Sequence, residues 1–309
     1  MSNQSAGRHE AGELENCLSE LLSASLAPST QSSYRRSWSV YRNFASMVLR
    51  SPVTLPIALS DLMLFIAHLH RQGAAPSSIS STLSALSFVH KIKMLDDPTK
   101  AYVISKLIAG AKVLTPSSDV RLPITRNILI RIIGALDMVT STDYSRLLYT
   151  AMLTLAFAAF LRIGEIAPKN HFSSRNCLAF RDVVMSEDGV LLSFRHFKSS
   201  GSMGSQAVRI QRQPVCCAVA ALRRYCAVRP AGEGLLFVEP SGQPVVRDKF
   251  DRMLKSALAF CGLDSAKFKG HSLRIGAASQ AALDGKSDAF IRAAGRWSSD
   301  AFKRYIRFS

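Results

Sequence analysis

The chain has no C-x-x-C pair, no histidine at zinc-finger spacing from a cysteine, and no apolar run long enough to cross a membrane. The first two absences exclude the common zinc and dithiol motifs. The six cysteines, at 17, 177, 216, 217, 226 and 261, read as free, mostly buried thiols in a reducing compartment. Seven histidines are scattered, and His68 and His70 would point to different faces of a helix, so no metal site is visible. The longest apolar run, Leu147 to Leu161, is closed by Arg146 and Arg162. It falls short of the roughly 18 residues that suggest a membrane span and reads as a buried helix. The N-terminus carries Arg8, His9, Glu10 and Glu13 and lacks the apolar core of a signal peptide, so the chain is expected to stay inside the cell. Acid is scarce: 22 Asp and Glu stand against 39 Lys and Arg, a net charge of +17. No carboxylate cluster of the kind magnesium-dependent transposases need is present, and the surplus charge attracts polyanions, nucleic acid first.

What is present is mostly helical pattern. Residues 1–12 are small and polar, a flexible tail. Leu14, Leu18, Leu21 and Leu22 then form a stripe that Pro28 and "STQSS" interrupt. The next helix sets Tyr34, Trp38, Tyr41, Phe44 and Ala45 inward and Arg35, Arg36, Ser39 and Arg42 outward. Two more follow, "SDLMLFIAHLHRQG", capped by Ser60 and stopped at Gly73, and "PSSISSTLSALSFVHKIK", opened by Pro76. The latter keeps Ser81, Ser84, His90 and Lys91 off its inner stripe, and small hydroxyls let a helix approach a phosphate backbone closely. Thr30, Tyr34, Arg35, Ser81 and Lys91 are the candidate DNA contacts of this half. Pro, Ser and charge cluster over 115–123, which marks a linker between a helical unit at 13–114 and a second unit at 124–309. The second unit reads as buried helix to Pro168, a small antiparallel sheet with Gly/Ser turns, then helices to the end.

Arg162 closes the most apolar helix, where a guanidinium needs an anionic partner. Glu165 could be that partner, or could orient the arginine toward a ligand phosphate. In "GHSLRIGAA", Ser272 as N-cap would put Arg274 in the first helical turn with His271 at its entry. Lys198, in "FKSSGSMGS", is either a solvated turn lysine or a proton donor on a mobile hairpin. Near the end, Gly295 stops one helix, Ser298 or Ser299 starts another, and Phe302, Tyr305 and Ile306 share its inner face.

Taken in order, "LRIGEI", "FKSSGSMGS", "GHSLRIGAA" and "GRWSSDAFKRYIR" resemble the tyrosine recombinase or phage-integrase superfamily, most closely the recombinases of DIRS-type retroelements. The resemblance covers nearly the whole chain. It implies a mainly α protein, with an N-terminal SAM-like core-binding domain of four to five helices and a mixed α+β catalytic domain bearing a small antiparallel sheet. Further, it implies that Arg162, His271, Arg274 and Trp297 stabilise charge on a phosphodiester, that Tyr305 is the nucleophile, and that Lys198 protonates the departing 5′-oxygen. Glu165 would be a supporting residue. No cofactor or metal is implied, because arginine charge takes the metal's place. The partners implied are double-stranded DNA and further copies of the chain on it, not a membrane, and the setting would be intracellular, the nucleus if the source is a eukaryote. The expected activity is strand cleavage and rejoining through a 3′-phosphotyrosine, in site-specific recombination or integration of a mobile element. A DNA-binding protein of the same descent that no longer cuts, or a type IB topoisomerase-like activity, are the alternatives.

Two features depart from the resemblance. Trp297 and Tyr305 are eight positions apart, one fewer than in bacterial and phage members, which would cost activity if it turned Tyr305 away from the cations. Only four residues follow Tyr305, too few for the helix with which many relatives dock on a neighbour, so assembly would use another surface or the chain is truncated.

Overall fold

The computed structural model describes residues 13–307 except 15, 23, 116–119, 171–173, 175 and 195–205. The chain divides into two compact units, 1–119 and 120–309.

The first unit is helical. After a helical stretch within 13–24 come α1 (Pro28–Phe44), which continues as a π-helical turn over Ala45–Leu49, α2 (Leu59–Arg71), α3 (Pro76–Ile92) and α4 (Tyr102–Leu114). Pro28 does not break a helix as its sequence context suggests; it opens α1 at a first-turn position, where its fixed φ and missing N–H cost nothing. Ser60 likewise lies inside α2, whose N-cap is Ala58, while Gly73, at φ 78°, follows its end. Tyr41, Phe44, Phe65, Ile79 and Leu86 build the core. His90 is the main correction in this unit. It is fully buried: Nε2 accepts the Ile57 N–H at 3.0 Å, and Nδ1 lies 2.8 Å from the Leu86 carbonyl, so both ring nitrogens are partnered and the ring is a strut within the core.

The second unit begins before residue 124. Leu122 and Ile124, placed in the linker and at its edge by composition, donate backbone N–H bonds to the carbonyls of Lys267 (2.8 Å) and Ser272 (3.0 Å). Two capped helices follow, α5 (Arg126–Val139) behind Thr125 and α6 (Asp143–Ala158) behind Thr142. The sheet is antiparallel in the order β1 (Val183–Ser186), β2 (Gly189–Phe194), β3 (Gln206–Gln211). Val190 faces Ile210, and the alternation along β2 turns Val190, Leu192 and Phe194 inward. The chain continues through α7 (Ala218–Val228), α8 (Arg247–Phe260), α9 (Gly270–Leu283) and α10 (Asp288–Gly295) to a closing 3₁₀ helix, Asp300–Tyr305. The core gathers around α6, where Ala151 to Ala156 are almost wholly buried. The architecture is thus mainly α, with one small antiparallel sheet in the second unit.

Among the described residues, no helix is long and apolar enough to cross a membrane, and no three His, Cys, Asp or Glu side chains are grouped to hold a metal ion. All six cysteines are free; Cys17 is exposed and the other five are partly rather than fully buried.

Candidate active site

The site is built on the C-terminus of α6. The helix does not run through to Pro168 but ends at Ala158, where Phe160 adopts a left-handed conformation (φ 52°). The Leu161 N–H then bonds back to Ala156 O (2.9 Å) and the Phe160 N–H to Phe157 O (3.3 Å), a Schellman closure with an aromatic residue in the place usually held by glycine. This turn leaves the carbonyls of Ala159 and Phe160 pointing away from the helix at its electronegative end. Two arginines use them. Arg296 Nη1 donates to Ala159 O at 3.2 Å, and Arg274 Nη1 donates to Phe160 O.

Arg162 follows at the N-cap of a 3₁₀ turn, Ile163–Glu165. Its Nη1 lies 3.0 Å from Glu165 Oε1, and its backbone N–H donates to Oε2 at 2.8 Å. Glu165, buried, also accepts Arg296 Nη2 at 2.7 Å. Glu165 is therefore the anionic partner of Arg162, and it is shared with Arg296.

Arg274 and His271 come from α9. Ser272 is not the N-cap; that position belongs to Lys269, whose N–H donates to Ser272 Oγ at 3.1 Å. His271 is consequently in the first turn and Arg274 in the second. Arg274 is fully buried, its second terminal nitrogen donating to Gly295 O, while its Nε has no hydrogen-bond partner among the described residues. The Trp297 ring covers it with the guanidinium carbon 4.1 Å from the ring centre, and the Tyr305 ring lies at 5.7 Å.

Tyr305 closes the site. Its hydroxyl is 2.9 Å from His271 Nε2, and its ring packs 5.0 Å from that of Trp297. The segment carrying it is a 3₁₀ helix, not an α-helix, capped by Ser299. At about 2.0 Å rise per residue against about 1.5 Å, 3₁₀ winding lengthens the same number of residues. With the eight-residue spacing from Trp297, Tyr305 lies beside His271 and within 5.7 Å of the Arg274 guanidinium. Phe302, fully buried, anchors the segment, and Ser279 Oγ ties it to α9 by donating to Tyr305 O (3.2 Å) and accepting from the Arg307 N–H (2.8 Å). Gly295 is required by close approach: a Cβ there would come 1.6 Å from the Trp297 ring.

Three guanidiniums, two of them buried and Arg162 partly exposed, and one carboxylate leave this cluster with a surplus of positive charge. Burial first, then the charges of Arg162 and Arg296, push the Arg274 guanidinium down to about 9. Arg296 is also pushed down, by burial above all, with Glu165 acting in the opposite direction. Such an arrangement is relieved by an incoming anion.

The structure brings together five of the six sequence-derived candidates, Arg162, His271, Arg274, Trp297 and Tyr305, with Glu165 beside them. Lys198 lies outside the described residues. Arg296 was missed. Its signal is its place in "GRW", directly before Trp297, but nothing in the sequence shows a charged residue there turning inward. In the first unit, the Tyr34 ring packs at a tilt against Phe88 (5.3 Å between ring centres) and lines a groove of about 400 Å³ with Lys91 and Lys100. Arg35 is exposed and Thr30 half-buried on the same helix, and the Ser81 hydroxyl donates to Ser77 O at 2.9 Å, so its free capacity is as an acceptor.

No protein-family model matches the sequence, and no curated protein does. Solved structures do. Lambda integrase, as a dimer bound to a COC′ core site, superposes with a TM-score of 0.64 at 17% identity over 95% of this chain and 94% of that one. The Tn1549 transposon integrase in complex with circular intermediate DNA gives 0.63 at 13% identity over 92% and 91%. XerH site-specific recombinase bound to a palindromic difH substrate gives 0.65 at 14% over 89% and 75%. The fold is that of the tyrosine recombinases. At these identities the likeness is one of architecture, and the site's chemistry rests on its own side chains.

Proposed function

We propose that this protein cleaves and rejoins double-stranded DNA with Tyr305 as nucleophile. The observation that carries the reading is the Tyr305 hydroxyl 2.9 Å from His271 Nε2, beside a buried arginine cluster of surplus positive charge. In the forward step the phenolic oxygen bonds to phosphorus and the bond from phosphorus to the 5′-oxygen breaks. This gives a 3′-phosphotyrosine and a free 5′-hydroxyl. His271 Nε2 is placed to accept the phenolic proton, Lys198 supplies a proton to the leaving 5′-oxygen, and Arg162, Arg274 and Trp297 hold the nonbridging oxygens as they gain charge. Attack by a 5′-hydroxyl reverses the step, so phosphodiester energy is conserved.

The first unit acts as the core-binding domain, holding duplex through Thr30, Tyr34, Arg35, Ser81 and Lys91. DNA-bound neighbours, one of them a dimer, support a homo-oligomer on DNA. The wording of the motifs supports a mobile-element recombinase of DIRS type, and hence site-specific recombination or integration inside the cell, in the nucleus if the source is a eukaryote.

The test is a duplex nicked beside the cleavage position, incubated with the protein in chelator. A denaturation-resistant protein–DNA complex is expected. A second reading, binding without cutting, is favoured by one observation: Arg274 is fully buried with both terminal nitrogens committed to carbonyls. Tight duplex binding with no covalent complex on any element-end sequence would establish that reading instead.

A further inference from the structure

Arg296 is the one buried guanidinium of the cluster that the reaction above does not use. Its side chain has no exposed surface, and its backbone is left-handed at φ 55°, which swings the side chain inward immediately before Trp297. It donates to Glu165 Oε2 (2.7 Å) and to Ala159 O at the end of α6 (3.2 Å), and it stacks 4.2 Å from the centre of the Phe194 ring, the last residue of β2. Phe194 precedes Lys198 by four residues in the sequence.

Sharing is what matters electrostatically. Glu165 is bonded by both Arg162 and Arg296, so its single negative charge is divided between two guanidiniums. With Arg274, three positive charges face one negative charge, a net +2. Were Arg296 neutral, Glu165 would pair with Arg162 alone, and Arg162, still 29% exposed and the more accessible of the two proposed phosphate-gripping arginines, would be electrically cancelled. Burying a second arginine beside Arg274 is costly. A hydrophobic side chain could fill the space under Phe194, but only a cation there also satisfies Ala159 O and shares Glu165 with Arg162.

We propose that Arg296 is a positioning residue that holds Glu165 away from full neutralisation of Arg162, keeping Arg162 available to the scissile phosphate. The inference rests on the DNA-cleavage reading above. Its test uses the full chain and single-turnover cleavage of a saturating nicked duplex, with duplex affinity and thermal melting measured in parallel. Arg296→Met is expected to slow cleavage about 10- to 100-fold, as loss of an outer-shell partner does, while duplex affinity stays near wild type. Arg296→Lys, which keeps the charge against Glu165, is expected to retain most of the rate. Adding Glu165→Gln to Arg296→Met frees Arg162 again and is expected to recover most of the lost rate. A merely structural arginine predicts the opposite, a double variant as slow as or slower than the single one.

The double variant removes one positive and one negative group together, so the total charge of the cluster is unchanged, and it keeps the test decisive if Arg296→Met alone does not fold. A double variant that melts cooperatively and binds duplex, yet cleaves no faster than about 100-fold below wild type, overturns the proposal. Arg296→Met cleaving at the wild-type rate overturns it too. A wild-type protein that forms no covalent complex removes the cleavage reading and this inference with it, whereas wild-type cleavage that Arg296→Met matches removes this inference alone.

Discussion

The hydroxyl of Tyr305 and Nε2 of His271 stand 2.9 Å apart, joined across 34 residues of sequence by the packing of the closing 3₁₀ helix on α9. Tyr305→Phe removes that bond and leaves the ring in its contact with Trp297. The half-buried hydrogen bond is worth about 1 kcal/mol, so melting should shift by only a few degrees and duplex binding should persist. Covalent complex should vanish. Gel analysis after denaturation, alongside a thermal melt, checks both halves.

Gly295→Ala tests whether the indole must lie where it does. The new methyl meets the Trp297 ring at 1.6 Å, so the ring must leave its place over Arg274. Overpacking of this kind costs about 1–3 kcal/mol, and cleavage should slow as the cover over Arg274 is lost. Gly134→Ala is the control: nothing lies within 4 Å of its added Cβ inside α5, and it should gain about 0.5–1 kcal/mol. Differential melting of the two variants separates the effects.

The thiols should differ in reactivity. Burial pushes Cys177 up to about 12, although Arg247 pulls it the other way. At Cys217 burial also acts upward, but amide N–H groups of Gln213, Ala220 and Val219 outweigh it and the thiol is lowered. Cys217 is the N-cap of α7, where a thiolate meets the helix dipole. Because its folded value is depressed, ionisation of Cys217 favours the fold above the ordinary thiol range, and that contribution is lost as pH falls through the lowered value. Timed alkylation near neutral pH, read by peptide mass, should label Cys217 well before Cys177.

Duplex binding should weaken steeply with salt, because a protein of net charge +17 displaces counterions wherever it meets phosphate. For about 6–10 phosphate contacts, affinity should fall by about 10³–10⁵ between 50 and 200 mM salt. Fluorescence anisotropy across that range measures the slope. A flat response would remove phosphate contact from the account.

Helix positions were legible because apolar periodicity is local: the stripe from Tyr34 to Ala45 and the largely apolar second half of α6 both declare themselves in the sequence. Helix ends were less so. Ser60 and Ser272 look like caps, yet neighbouring backbone took that role, and Pro28 reads equally well as a stop or a start. In the site, the motif residues carried their own signal through residue type and order. Arg296 and His90 did not, because whether a polar side chain turns inward depends on a backbone φ at one position and on a partner far along the chain, Glu165 for one and Ile57 for the other. The 3₁₀ winding of the segment that carries Tyr305, anchored by Phe302 and Ser279, was not legible either, since those contacts join distant parts of the chain.

The most direct measurement is the identity of the residue that carries DNA. A nicked duplex is reacted with the protein, the denatured complex is digested with nuclease and protease, and the nucleotide-bearing peptide is sequenced by mass spectrometry. The account predicts a 3′-nucleotide attached through the oxygen of Tyr305. An adduct on any other residue, or duplex bound tightly with no adduct at all, would contradict it.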